Sequence, residues 1–93
     1  MKLKITSSFR DKLNDQVNYI ARDKPSAARK FKSLVLSEIK EIPHFPYKYR
    51  KSIFFDRDDI RDLIVGGYLV VYRINKHTQT IEVFGFTKWK QDL

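Results

Sequence analysis

Ninety-three residues, 42% hydrophobic and 14% aromatic, are enough for one small core and too apolar for a disordered chain, so one domain over residues 1–93 is expected. Cysteine is absent, which excludes disulfides, thiolate chemistry and Cys-based zinc sites. No apolar run approaches the roughly 20 residues of a membrane span, and Met-Lys-Leu-Lys-Ile-Thr lacks a signal-peptide core, so a soluble cytoplasmic protein without membrane contacts is expected.

The formal net charge is +8, and its distribution is uneven. Residues 1–51 carry 13 Lys/Arg against 5 Asp/Glu, whereas residues 52–93 carry 6 against 6. The whole excess therefore lies in the first half. A one-sided basic surface favours a polyanionic partner, either nucleic acid or an acidic protein. The plainer alternative is a solvated Lys-rich face.

Lys2 to Ile5 alternates as a short strand with Leu3 and Ile5 inward. Thr6, Ser7 and Ser8 offer helix N-caps, and Phe9, Leu13, Val17 and Ile20 form one apolar stripe on a helix of about Ser8 to Arg22. Asp23-Lys24-Pro25 ends it, because a residue before proline avoids the helical region and proline suits a new first turn. A second helix follows from about Pro25 to Ile42, with Ala28, Phe31, Leu34, Val35, Ile39 and Ile42 as its buried stripe. The short connection makes the pair an antiparallel hairpin.

Past Pro43 and Pro46, Phe45, Tyr47 and Tyr49 interleave with Lys48, Arg50 and Lys51. Such a mixture suits base stacking beside phosphate contacts. Alternatively, Phe45 and Tyr47 plug the end of the core while the cations stay in water. Ser52 to Phe55 reads as a short strand, followed by Asp56, Asp58, Asp59 and Asp62. The glycine and distal glutamate of a calcium loop are missing, and Arg57 and Arg61 lie close by, so an acidic turn paired to arginines is expected, with no metal or other cofactor.

Ile60 to Phe86 carries the densest β signal. Gly66-Gly67 separates two β-branched, aromatic-rich runs, as a primed hairpin turn requires. In Tyr68 to Ile74 both faces are apolar, which places the strand mid-sheet. With Ile81 to Phe86, the expected core is a three-stranded antiparallel meander with the helices on one face. His44 and His77 read as surface residues. Trp89, between Lys88 and Lys90, either caps the core or belongs to a binding surface. Arg73, on the central strand, has Asp62 and Glu82 as candidate ion-pair partners.

Ile60-Arg61-Asp62-Leu63, then Gly67-Tyr68-Leu69-Val70-Val71-Tyr72-Arg73-Ile74, then Ile81-Glu82-Val83-Phe84 resemble the RelE/ParE superfamily, the toxic halves of bacterial type II toxin–antitoxin pairs, often described as plasmid stabilisation proteins. The resemblance implies an α+β fold, β-α-α-β-β-β, with an N-terminal strand and αα-hairpin packed on a C-terminal antiparallel sheet. It implies two kinds of activity. RelE-like members are ribosome-dependent, metal-independent mRNA endoribonucleases and need a base, an acid and cations for the phosphorane. They usually carry an arginine just after the Gly-Tyr pair and a Tyr or His near the C-terminus. Here those positions hold Leu69 and the Thr87-Lys88-Trp89 tail. A rearranged nuclease set would draw on Arg61, Lys88 and Lys90, with Tyr47 or Tyr49. ParE-like members act by binding, as DNA gyrase inhibitors, and need no such set.

The ParE-like reading is the expectation. It implies an acidic cognate antitoxin and DNA gyrase as partners, with the ribosome and mRNA as the alternative and a non-toxic nucleic-acid- or antitoxin-binding module as the third. Target-binding candidates are Arg50, Lys51, Arg61, Arg73, Lys88, Trp89 and Lys90. The antitoxin is expected on the helical hairpin and an exposed strand edge.

Overall fold

Thr6 switches the chain from strand to helix. Its backbone is extended (φ −72°, ψ 154°), and its hydroxyl accepts the Phe9 N–H at 3.1 Å, satisfying a donor that the first turn leaves free. The computed structural model describes residues 1–89. It comprises β1 (Lys2–Ile5), α1 (Ser7–Ala21), α2 (Pro25–Glu41), a 3₁₀ turn at Ile42–His44, β2 (Arg50–Lys51), β3 (Ile60–Val65), β4 (Tyr68–Asn75) and β5 (Thr80–Lys88). The α+β plan is the expected one, and β3-β4-β5 is the expected meander.

The five strands lie in the order β1-β5-β4-β3-β2, so β4 is the central strand. The sheet is mixed rather than purely antiparallel, because β1 runs parallel to β5 with Leu3 opposite Ile81 and Ile5 opposite Val83. Gly66 and Gly67 both take positive φ, +57° and +82°, which is the primed-turn geometry that lets β3 fold back onto β4 without splaying.

Both helices cover one face. Phe9 and Leu13 from α1 and Val35 and Ile39 from α2 pack on Leu63, Val65, Tyr68, Val70, Tyr72, Ile74, Ile81, Val83 and Phe86. Phe86 meets Phe9 edge-on at 5.5 Å and stacks on Tyr68 at 4.9 Å. Leu34 does not join this stripe and is 44% exposed. It lies about 100° around the helix from the line through Ala28, Phe31, Val35 and Ile42.

The opposite face of β4 is buried at Leu69 and Val71 without any helix, while Arg73 on the same face is exposed. Leu69, Val71 and, on β3, Ile60 are shielded there, and Phe55 sets its ring edge-on to Phe84 at 6.0 Å. The segment expected as a strand at Ser52–Phe55 supplies part of this cover, and it is not a strand. The strand is Arg50–Lys51, opposite Asp62 and Arg61. Beyond it the backbone donors go elsewhere: Ile53 N–H to Asp62 Oδ2 at 2.9 Å, Phe54 N–H to the Ser52 hydroxyl at 3.2 Å, and Phe55 N–H to the Ser52 carbonyl at 3.4 Å. A chain bonded to itself in this way turns, and it leaves Ile53 and Phe54 exposed.

A plug by Phe45 and Tyr47 is also absent: Phe45 is 61% exposed and Tyr47 lies at the surface. Tyr49 packs against the core instead, with its ring edge-on to Tyr72 at 6.3 Å. Tyr72 is fully buried, and its hydroxyl donates to the Pro46 carbonyl, which fastens the loop after α2 to the central strand.

Gly85 lies opposite Val71 at a register shift between Val71 and Tyr72. A Cβ there would stand 2.9 Å from Val71 Cβ, an atom fixed to the backbone and unable to rotate aside. Gly85→Ala is therefore expected to cost about 1–3 kcal/mol, the usual scale of overpacking. Urea denaturation of the single variants and of Gly85→Ala/Val71→Gly, which removes that Cβ, checks this, and the double variant should lose less than the sum of the two.

Candidate target-binding surface

The cations named from the sequence divide by what holds them. Arg61, on β3, is almost enclosed, with its side chain 12% exposed. Its Nε donates to the Asp58 carbonyl at 2.9 Å, its Nη2 to Asp58 Oδ1 at 2.9 Å, and its Nη1 to the Tyr49 carbonyl at 3.0 Å. The guanidinium also lies 5.0 Å from the Tyr47 ring centre. A fork used this fully ties the 47–49 loop to the 56–59 turn and presents little charge to a partner. Arg57 makes a two-bond pair with Asp59, at 2.9 and 2.7 Å, so the acidic turn is paired to arginines as expected. Lys51 stands 3.7 Å from Asp58, with both side chains in water.

Arg50 and Trp89 come together although they stand 39 positions apart in the chain. Arg50 shares a face with Asp62, its partner in the ladder, on the side of the sheet away from the helices. Trp89 follows β5 and donates its backbone N–H to the Gly67 carbonyl at 2.9 Å. The Arg50 guanidinium carbon lies 4.6 Å from the Trp89 ring centre, within cation–π range. Behind it, Arg50 Nη2 stands 3.7 Å from Oδ2 of Asp62, whose carboxylate is wholly buried. Of the two sequence alternatives for Trp89, a core cap does not fit: the half-buried ring lies against a cation rather than in the main core. Lys88, beside it, is exposed. Lys90 lies outside the described residues.

Arg73 lies away from this pair. Of its two candidate partners it takes Glu82, at 3.7 Å, and both side chains remain largely in water. It borders an open concavity of about 520 Å³ lined also by Tyr47, Arg57, Asp58, Lys76 and His77. Lys76 Nζ sits 5.4 Å from the Tyr47 ring, so two cations lie within reach of that ring. His44 and His77 are exposed, as expected of surface residues. Among the described residues no three His, Asp or Glu side chains converge as a metal site would require. Of the named residues, then, Arg50 and Trp89 form one unit with Lys88 next to it in the chain, Arg73 faces the concavity, and Arg61 is consumed internally. In the sequence Asp62 is a member of the acidic turn and a candidate partner of Arg73, and nothing there pairs it with Arg50. The available signal was an acidic residue in the otherwise apolar alternation of Ile60, Asp62 and Ile64.

Burial pushes the Tyr72 phenol well above its usual value. The Arg61 cation opposes that shift, while Tyr49 and Asp62 add to it.

The chain matches the family described as the ParE toxin of the type II toxin–antitoxin system parDE, over residues 3–93. Among solved structures it is similar to a chain of the chromosomal ParDE TA system from P. aeruginosa, with a TM-score of 0.79 and 14% identity, covering 97% of each chain. At that identity the likeness bears on the fold. A comparison with curated proteins gave no match.

Two outcomes follow from the geometry. Arg61→Lys is expected to lose nearly as much stability as Arg61→Ala, about 2 kcal/mol by chemical denaturation, because an ammonium cannot span the acceptors that the guanidinium joins. For Tyr72 the folded chain holds the phenol proton more tightly than the unfolded chain. Its contribution is therefore complete below about pH 10 and is lost as pH rises towards the folded value. Stability measured between pH 9 and 11 should fall more steeply for the parent than for Tyr72→Phe.

Proposed function

The chain belongs to the ParE toxin family of type II toxin–antitoxin systems, and from that premise we propose that it stops growth by binding DNA gyrase and is neutralised by an acidic antitoxin. The observation that carries a binding mechanism is Leu69. It stands where the ribosome-dependent nucleases usually carry an arginine, and it is 0% exposed on the central strand. Such a position can neither touch a phosphate nor stabilise a phosphorane. Arg61, a candidate for a rearranged nuclease set, is occupied by internal acceptors. A mode of action by binding needs neither group. A cytoplasmic location follows from the target.

Charge supports the antitoxin half of the proposal. Lys24, Arg29, Lys30 and Lys32 are all exposed at the start of α2, and residues 24–37 contain no acidic side chain. A negatively charged segment is attracted there and held against the hairpin, and an antitoxin that folds on contact can wrap a large area at the cost of its ordering entropy. The outer edges of β1 and β2 offer backbone groups for an added strand.

For the target the proposed surface is Arg50 and Trp89, on the side of the sheet away from the helices, with Lys88 and Lys90 as the neighbours of Trp89 in the sequence. Lys88→Ala/Trp89→Ala/Lys90→Ala is expected to abolish growth inhibition while leaving antitoxin binding intact. Colony counts after induction, together with co-purification of the antitoxin, check this. A folded, fully toxic triple variant would remove the tail from the mechanism.

A further inference from the structure

Arg50 is the cation of the proposed target surface that is least free to choose its position. Its guanidinium is held between a buried anion and an aromatic face: Asp62 Oδ2 at 3.7 Å on one side, and the Trp89 ring at 4.6 Å on the other. The contact crosses from β2 at one edge to the residue after β5, over the width of β3 and β4. Nothing in the local ladder requires it, since Trp89 is already anchored by its backbone N–H to Gly67.

Asp62 itself is only half satisfied. Oδ2 accepts the Ile53 N–H at 2.9 Å, whereas Oδ1 is buried with no hydrogen-bond partner among the described residues. A neutral acceptor in the same place would hold Ile53 equally well without carrying a charge into the sheet. Burying a carboxylate with an unpaired oxygen is costly, so the charge is better explained by the cation it faces than by the backbone donor it accepts.

We propose that Asp62 is a positioning residue: its buried charge fixes Arg50 over Trp89, so that guanidinium and indole are presented to the target as one rigid cationic–aromatic element. The proposal rests on the reading of this surface as target-facing, but the positioning itself can be measured without any target. Ordering a long arginine side chain before binding lowers the entropy lost on contact. It also gives an arginine at this site a role that a lysine cannot fill, because stacking needs the planar group.

Asp62→Asn separates the charge from the fold, since the amide oxygen can still accept the Ile53 N–H. The full chain, made by cell-free synthesis, would be compared with Asp62→Asn, Asp62→Ala, Arg50→Lys and Trp89→Leu. Two readouts are needed, the arginine Nε–H resonances in ¹H–¹⁵N spectra and urea denaturation. In the parent one resonance is expected upfield through the Trp89 ring current, and Arg50→Lys should remove it, which assigns it. Asp62→Asn should return that resonance to the position seen in Trp89→Leu, with stability equal to the parent or higher. An Arg50 resonance still upfield in Asp62→Asn would overturn the proposal. A stability loss matching that of Asp62→Ala would also overturn it, by making Asp62 a fold residue only.

Growth inhibition adds the functional arm. Asp62→Asn and Arg50→Lys should each lose as much toxicity as Trp89→Ala, and full toxicity of both, in a chain whose Trp89→Ala variant is inactive, would contradict joint presentation. Were Trp89→Ala itself fully toxic, the target surface would be wrong, while the resonance shifts would still decide what Asp62 does.

Discussion

A central strand apolar on both faces must be covered twice, and the hairpin of α1 and α2 can cover it only once. Tyr68, Val70, Tyr72 and Ile74 face the helices, while Leu69 and Val71 point the other way and are buried as well. Part of the second covering is the turn after β2, with Phe55 against Phe84. Irregular backbone laid on a sheet must find partners for its polar groups. Here Ser52 and Asp62 supply acceptors for it.

The same constraint explains why many charges of the second half are not available to a partner. Arg57 and Arg61 hold the acidic turn together, and Arg61 also fixes the loop that Tyr72 fastens from below through the Pro46 carbonyl. Among the exposed cations two groups stand out: the start of α2, a run without acids, and the end of the sheet where Arg50 meets Trp89, with Lys88 next in the chain. Two separated basic regions suit a protein that meets an acidic neutralising partner on one side and its target on the other. They also make Leu69 informative, since a catalytic cation at that position would need an exposed strand face and finds a covered one.

Much of this was legible in the sequence because the signals were local. Gly66-Gly67 specifies the turn by its φ requirement, Thr6 caps its helix, and the two-faced apolar run of β4 announces the centre of the sheet. Three features were not legible, each because it depends on groups far apart in the chain. The parallel pairing of β1 with β5 joins residues nearly eighty positions apart. Ser52 to Phe55 has the composition of a strand, but the backbone donors of Ile53 to Phe55 are taken by Ser52 and by Asp62. The cations of the site looked equivalent as sequence. Only the placement of their acceptors distinguishes Arg61, spent on the fold, from Arg50, set on an aromatic ring.

The most direct test of a toxin that binds gyrase rather than cutting messages is a pulse experiment. The protein is induced in growing cells without antitoxin, and DNA and protein synthesis are followed separately over the first minutes. DNA synthesis should fail first, accompanied by a damage response, while messages remain intact. Early loss of translation with cleaved messages would contradict the binding mechanism and return the chain to the ribosome-dependent nucleases.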